Sequence, residues 1–386
     1  MFRILLAVTA LLIYGSLYPW QFHSARVAGN PLVVLLRSWP FVFDRYLIKD
    51  VALNVAIYTP FGLAAYSWLV RRSSLLRLAA PVMMAALLSS AIEMIQLFDA
   101  QRITSMLDVV SNAVGAAAGV ALGALLYRGR RRSPVISIPN PGALLLLGCW
   151  AGSMVFPLIP DLSRTHLSQK LAVLFLGPLA PESFFAEWVR WLVAARLAQA
   201  VFGDYEGAWM FPVFGLLIPA RFLILGLNTG WQECLAFLLA WIAWAAFVAR
   251  ASRRGWILAA LTLLSIAAVG LAPYRFAPDP QRFEWVPFRA LFSSEWETGF
   301  GVFLKKVFLY GSAVWLLRTA GVAMAKAAAI TAAILAAIEA AQLYLPNHAA
   351  ESTDPLLAIV MAWLLHRLSW VSAGDRAGNF GPQEGV

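Results

Sequence analysis

The chain has 386 residues, of which 61% are hydrophobic and only 13% charged. A soluble globular domain carries about 25% charged residues, and so few charges cannot cover the surface of a chain this long. With a mean hydropathy of +0.72, the composition excludes a soluble globular protein and implies an all-α integral membrane protein. The net charge of +10 does not point to nucleic acid, because most arginines fall in short clusters between apolar runs, where membrane orientation places them.

A helix needs about 20 apolar residues to cross a bilayer. Runs of that kind occur at twelve places, near 2–20, 48–70, 78–98, 107–127, 141–159, 184–202, 208–227, 231–249, 255–272, 300–317, 327–345 and 354–370. The first is read as a retained helix and not a cleaved signal, because Tyr18, Pro19 and Trp20 follow it in place of small residues. Lys and Arg in the short loops orient the chain. With the N-terminus cytoplasmic, the inner loops carry Arg71, Arg72 and Arg77, then Arg128 to Arg132, then Arg250, Arg253 and Arg254, then Arg318 and Lys326, then Arg367. The loop 203–207, with Asp204 and Glu206, runs against the pattern. Twelve spans put the C-terminus inside as well. The expected localisation is therefore multi-pass in a cytoplasmic membrane. The stretches 30–43 and 285–300 are too short and broken to span. They are expected to lie in the headgroup plane, with Arg37 and Arg289 near lipid phosphates.

The basic loops at 128–133 and 250–254 divide the chain into three parallel four-helix units, at 1–134, 135–254 and 255–371, followed by a polar, Gly-rich tail at 372–386 that is expected to be disordered. Units one and three share a pattern. Pro19-Trp20-Gln21-Phe22 corresponds to Pro273-Tyr274-Arg275-Phe276, and Ile92-Glu93-x-x-Gln96-Leu97 to Ile338-Glu339-x-x-Gln342-Leu343. An Asp follows each Glu fifteen residues on, Asp108 and Asp354. The middle unit has the same span count without the Glu-x-x-Gln and reads as a degenerate copy.

Glu93 and Gln96, three residues apart, share one helix face, as do Asp108 and Asn112, four apart. A short connection with Gln101 and Arg102 joins the two helices, so these polar faces can meet near the outer surface, with Asn54 on the preceding helix. An ionisable group inside a span costs about 2.5–3.5 kcal/mol at the helix centre. Structural roles remain open beside functional ones. Asp108 fits a capping box with Ser105, and Asp354, just before Pro355, fits an N-cap. Glu93 can pair with Arg102 or Lys49, and Asn112 can join two helices. Gly115, Gly119 and Gly123 form two GxxxG steps that read as a packing face. The tryptophans near span ends read as an interfacial belt. Cys149 and Cys234 are far apart, and the four histidines form no ligand motif, so neither a metal nor a cofactor is expected.

The run Val51-Ala-Leu-Asn54-Val-Ala-Ile-Tyr-Thr-Pro60-Phe-Gly62, and Glu93-x-x-Gln96 followed by Arg102, Asp108, Asn112 and Gly115, resemble the VanZ-like family. The resemblance covers residues 1–127 well and 271–368 more weakly. In the second stretch Lys306 stands where Asn54 aligns, Ala358 where Asn112 does, and no Arg precedes Asp354. The resemblance implies a polytopic bacterial membrane protein; some members of the family are linked to resistance to glycopeptide antibiotics of the teicoplanin type.

The preferred functional reading is a non-catalytic one. Glu93, Gln96, Arg102, Asp108, Asn112 and Asn54 hold a lipid headgroup, a lipid-linked glycan or a glycopeptide at the outer leaflet, with Glu339, Gln342 and Asp354 as second-copy candidates and membrane lipids as partners. A transporter or lipid flippase is the alternative, although polar residues would then be expected near the midplane. A membrane enzyme using Glu93 and Asp108 as acid and base on an amphiphile is the third reading; no nucleophile pair or phosphate loop supports it, and no catalytic residue is assigned.

Overall fold

The computed structural model describes residues 2–18, 22, 30–40, 45–99, 104–132, 140–156, 163–176, 180–203, 212–224, 227, 229–289, 296–346 and 348–377. The described backbone is helical apart from turns, short connections and two isolated bridges. The chain forms two compact units, Met1–Ser137 and Ile138–Val386.

The first unit contains α1 (Phe2–Leu17), the short α2 (Pro31–Arg37), α3 (Arg45–Leu69), α4 (Ser74–Gln96) and α5 (Met106–Arg132). Local chemistry sets several ends. Asn30 caps α2, its side chain accepting from Leu32 N–H with Pro31 in the first turn, and the Ser73 hydroxyl accepts from Leu76 N–H at the start of α4. The unit is organised by the contact of α3 with α5, where backbone meets backbone. A Cβ placed on Gly62 would lie 2.0 Å from the Ala116 carbonyl oxygen, one on Gly115 2.4 Å from that of Val55, and one on Gly119 2.1 Å from that of Thr59. The GxxxG steps are thus a packing face, completed by Gly62 on the partner helix. Thr59 sits on the seam, its hydroxyl directed at the carbonyls of Val55 at 2.7 Å and Gly115 at 3.3 Å. Leu5 and Leu12 of α1 and Ala85 of α4 close over Tyr58, Phe61, Ala65 and Ala116 to make the apolar core.

The second unit contains α6 (Pro141–Val155), α7 (Arg164–Leu176), α8 (Pro181–Phe202), α9 (Leu217–Phe222), α10 (Trp231–Ala246), α11 (Arg254–Leu271), α12 (Trp296–Thr319), α13 (Met324–Gln342) and α14 (Thr353–Ala377). Its centre is α8 and α12. Nearly every residue of α8 from Val189 to Gln199 is buried, and Phe308, Val314 and Leu316 of α12 are closed off. Trp150 of α6 meets Trp191 of α8 edge-on at 5.0 Å between ring centroids.

Six helical stretches are long and apolar enough to cross a membrane, Ser74–Gln96, Met106–Leu125, Trp231–Arg250, Arg254–Leu271, Gly299–Thr319 and Met324–Gln342. They coincide with six of the twelve expected spans. Apolar residues on them remain outward, among them Leu87 and Leu125. A helix apolar on its outer side as well as its inner side suits hydrocarbon surroundings. The other expected spans meet one criterion without the other. α1 and α6, with 16 and 15 residues, are apolar but short. α8 has the length but carries Glu187, Arg190 and Arg196 in its body, and Asn54, Tyr58, Thr59 and Pro60 dilute α3. The run near 208–227 is described only in part, with a helical stretch at Pro212–Phe222. α14 continues to Ala377, so the start of the expected tail is helical, and 378–386 lie outside the described residues.

If the α3–α5 seam holds the first unit together, Gly119→Val should destabilise it by about 3 kcal/mol, since backbone cannot move aside as a side chain can. Gly123→Ala faces the Tyr66 ring at 2.6 Å and should lose about 1 kcal/mol. Gly148→Ala, with open space around it, should lose nothing. Chemical-unfolding midpoints in detergent would rank the three.

Candidate functional site

The polar residues singled out on α3, α4 and α5 come together at the end of the first unit where α4 finishes and α5 begins. Glu93 is 4% exposed, one turn before the end of α4. Its Oε2 accepts the backbone N–H of Ser105 at 2.9 Å, and Thr104 donates its hydroxyl to the Glu93 carbonyl at 3.2 Å. The Met106 N–H goes to Ser38, to its hydroxyl at 3.0 Å and its carbonyl at 3.1 Å. These contacts fill backbone donors that a helix start leaves open. The capping box expected from Ser105 and Asp108 is therefore replaced by a cap from a different helix: the acid at the Ser105 N–H is Glu93. Asp108, half-buried in the first turn of α5, instead turns its carboxylate to the Asn54 side chain on α3, with Asp50 also within its electrostatic reach.

One turn further along α5, Asn112 is 6% exposed. Its Nδ2 donates to the Ser89 hydroxyl at 2.8 Å, while its Oδ1 is buried with no hydrogen-bond partner. Ser89 is also hydrogen-bonded to Tyr58, which lies one turn beyond Asn54 on α3 and within electrostatic range of Glu93. Gln96 is used differently. Its Nε2 donates to the Ser16 carbonyl at 2.6 Å, tying the end of α4 to the last turn of α1. Arg102 and Gln101 lie outside the described residues.

Residues 2–127 match the family model described as VanZ/LLP1. Over these residues the first unit is similar to that family. No curated protein matches the chain, and no solved structure does.

The last helices of the second unit carry bonds of the same kind as the first unit. Glu339, 3% exposed near the end of α13, accepts the backbone N–H of Glu351 at 2.7 Å; as with Glu93 and Ser105, donor and acceptor are twelve residues apart. Gln342 Nε2 donates to the Gly270 carbonyl in the last turn of α11 at 2.9 Å, as Gln96 does at the end of α1. The two sites part at the acid that follows. Asp354 is in the first turn of α14 and not at its N-cap. Its Oδ1 meets Lys306 Nζ at 2.5 Å, and its Oδ2 accepts the Tyr310 hydroxyl. Lys306 also lies 3.5 Å from Glu351 Oε1, while Glu351 Oε2 is buried without a partner. Lys306 thus fills in the second unit the position that Asn54 holds beside Asp108 in the first.

Of the headgroup-plane segments, α2 is a single short helix with Leu32, Val33 and Leu36 outward. Arg289 is engaged by Glu284 at 2.5 Å, and 290–295 lie outside the described residues. Among the described residues, no group of three His, Cys, Asp or Glu side chains could hold a metal ion.

The sequence reading passed over Tyr58, Ser89, Tyr310 and Glu351. A signal for the tyrosines existed: each stands four residues after the aligned position, Tyr58 after Asn54 and Tyr310 after Lys306.

Lys306→Met leaves Asp354 and Glu351 without their cation and should destabilise the protein by about 3 kcal/mol. Adding Asp354→Asn should restore at least half of the loss. A double-mutant cycle on unfolding midpoints in detergent measures both.

Proposed function

We propose that the VanZ-like unit binds the polar head of a membrane lipid or lipid-linked glycan at the outer leaflet of the bacterial cytoplasmic membrane, with both chain termini on the cytoplasmic side. Asn54, Asp108 and Asn112 supply the polar contacts, and Glu93 and Gln96 brace the helices that present them. Arg102, in the connection between α4 and α5, pairs a phosphate or carboxylate on the ligand. On this reading residues 255–371 are a second copy, and the middle of the chain is a degenerate one.

The observation that carries the proposal is the contrast between the two aspartates. Asp354 is saturated, with an ammonium on one oxygen and a phenol hydroxyl on the other. Asp108 hydrogen-bonds the neutral Asn54 amide and has no ion pair among the described residues. Nearby, the Asn112 Oδ1 acceptor is buried and unfilled. Buried polar groups are almost always hydrogen-bonded, and an exception points to something missing from the picture. A ligand with hydroxyl or amine donors would satisfy both groups. Beside Asp354 there is no such vacancy, because Lys306 occupies it and Ala358 replaces the amide of Asn112; the unfilled acceptor in that copy is Glu351 Oε2, 3.5 Å from Lys306 through its other oxygen.

The test is to convert the first site into the second. Asn54→Lys would give Asp108 an internal cation and should lower headgroup retention about tenfold without loss of stability. Arg102→Lys, which keeps the charge but loses the bidentate fork, should weaken retention less. Native mass spectrometry of the full chain released from nanodiscs of defined phospholipid composition reads retention. Equal retention by wild type and Asn54→Lys would overturn the reading.

A further inference from the structure

A cavity of about 460 Å³ lies in the second unit where α8, the start of α11 and the end of α12 meet. Three guanidinium groups line it, Arg196 from α8 and Arg253 and Arg254 from the start of α11, together with the hydroxyls of Ser252 and Thr319 and the indole of Trp256. None of the described residues that line it is acidic. Neutral groups orient two of the arginines. Arg196 Nη1 donates to Gln199 Oε1 at 3.1 Å, and its guanidinium lies 5.5 Å from the centroid of the Trp315 ring. Arg254 Nη1 donates to the Ala249 carbonyl at 2.8 Å. These contacts aim the charges without neutralising them.

Orientation of the chain does not require this convergence. Arg250 belongs to the same basic loop, yet it is exposed and outside the cavity wall. Arg196 comes from another helix, in a stretch of α8 that is otherwise buried. The start of α11 adds to the positive field. Its N-cap position is Arg253, no side chain caps it, and its first turn has no acid, the reverse of what a helix start usually carries. Gly255 sets that start against the end of α12, since a Cβ there would lie 3.3 Å from the Ala320 Cβ. The position of the cavity narrows the kind of anion. α11 begins and α12 ends beside it, and both are long and apolar enough to cross a membrane, so it stands at the level of lipid headgroups. Trp256, 49% exposed, suits that level. Deeper along α11, Ile257, Ala260 and Leu264 are exposed at the spacing of one helix face, a path for an acyl chain.

We infer that this cavity is an anion site for a phosphate-type oxyanion, and that its place at the ends of two spans fits it to the phosphate of an anionic phospholipid. It is separate from the headgroup site proposed for the first unit. Each guanidinium presents N–H donors in a fork that matches phosphate oxygens, and the start of α11 favours negative charge. The anion offsets three like charges that face one space, with the acyl chain lying along Ile257 and Leu264. Free phosphate offers the same oxygens without the chain.

The experiment places Arg253→Gln, Arg253→Glu and the control Arg250→Gln in the full-length wild-type chain and in one carrying Asn54→Lys, which sets aside lipid held by the first unit. Arg253 is exposed, so its variants should keep the fold. In one arm each protein is released from nanodiscs containing phosphatidylglycerol and phosphatidylcholine and weighed by native mass spectrometry. The Asn54→Lys chain should still retain phosphatidylglycerol over phosphatidylcholine. Arg253→Gln should lower that retention about fivefold, Arg253→Glu should abolish the preference, and Arg250→Gln should leave it unchanged. In the other arm, inorganic phosphate is titrated against the detergent-solubilised proteins while the unfolding midpoint is followed. A rise that is lost in Arg253→Glu, without lipid retention, keeps the site and assigns it to free phosphate. The inference fails if Arg253→Glu matches its parent in both arms, or if Arg250→Gln loses as much as Arg253→Gln, because general surface charge would then account for the binding. It fails too if the preference disappears with Asn54→Lys and no phosphate response remains, since the lipid would then belong to the first unit. Should Arg253→Glu give no folded protein, Arg253→Gln decides by the same comparisons.

Discussion

The first unit depends on the contact between α3 and α5. Gly62, Gly115 and Gly119 place carbonyl oxygens of one helix where a side chain of the other would begin. In a bilayer there is no hydrophobic gain from joining two helices, because lipid chains are as apolar as the side chains they replace. Close van der Waals approach and polar bonds between helices must supply the association. The glycine seam does the first. It also sets what the helices can present at their ends: with the two axes drawn together, Asn54 of α3 reaches Asp108 of α5, and Tyr58 comes beside Ser89, the partner of Asn112.

The second unit is held by other means. Among its described residues no glycine brings two helix backbones as close, and its centre is built from large side chains, Trp150, Trp191 and Phe308 among them, together with half-buried ion pairs. What the two units share is the way a helix is joined to the next. A glutamate near the end of one helix accepts a backbone N–H at the start of the following one, and a glutamine three residues later ties the same end to an earlier helix. Each of these bonds satisfies a backbone group that a helix terminus leaves open, in a setting where water cannot be relied upon to do so.

Much of this was readable in the sequence because it follows from composition and spacing. The long apolar helices, the glycine packing face and the meeting of Glu93 with the start of α5 come from local pattern. The details that were not readable depend on which distant residue arrives. Ser105-x-x-Asp108 has the spacing of a capping box, yet Glu93 reaches the Ser105 N–H and frees Asp108 for α3. Asp354 beside Pro355 has the look of an N-cap, yet Lys306 and Tyr310 claim its carboxylate from α12. Arg221 and Glu233 lie twelve residues apart in different helices, and only the fold joins them. A span more polar than hydropathy favours, such as α8, belongs to the same class, since burial among other helices decides what it tolerates.

The adjacent lysines of α12 have a bearing on how that helix finds its azimuth. A rod with an almost uniformly oily surface can spin about its long axis in oil with little to stop it, and packing shape alone discriminates weakly between rotational settings. Lys306 limits that freedom. A turn of one residue that brings Val307 round in its stead would leave Asp354 and Glu351 facing an apolar side chain, whereas a turn the other way would only exchange one ammonium for that of Lys305. The ion pair therefore works as a one-sided key, rejecting a setting of α12 that takes the positive charge away from Asp354.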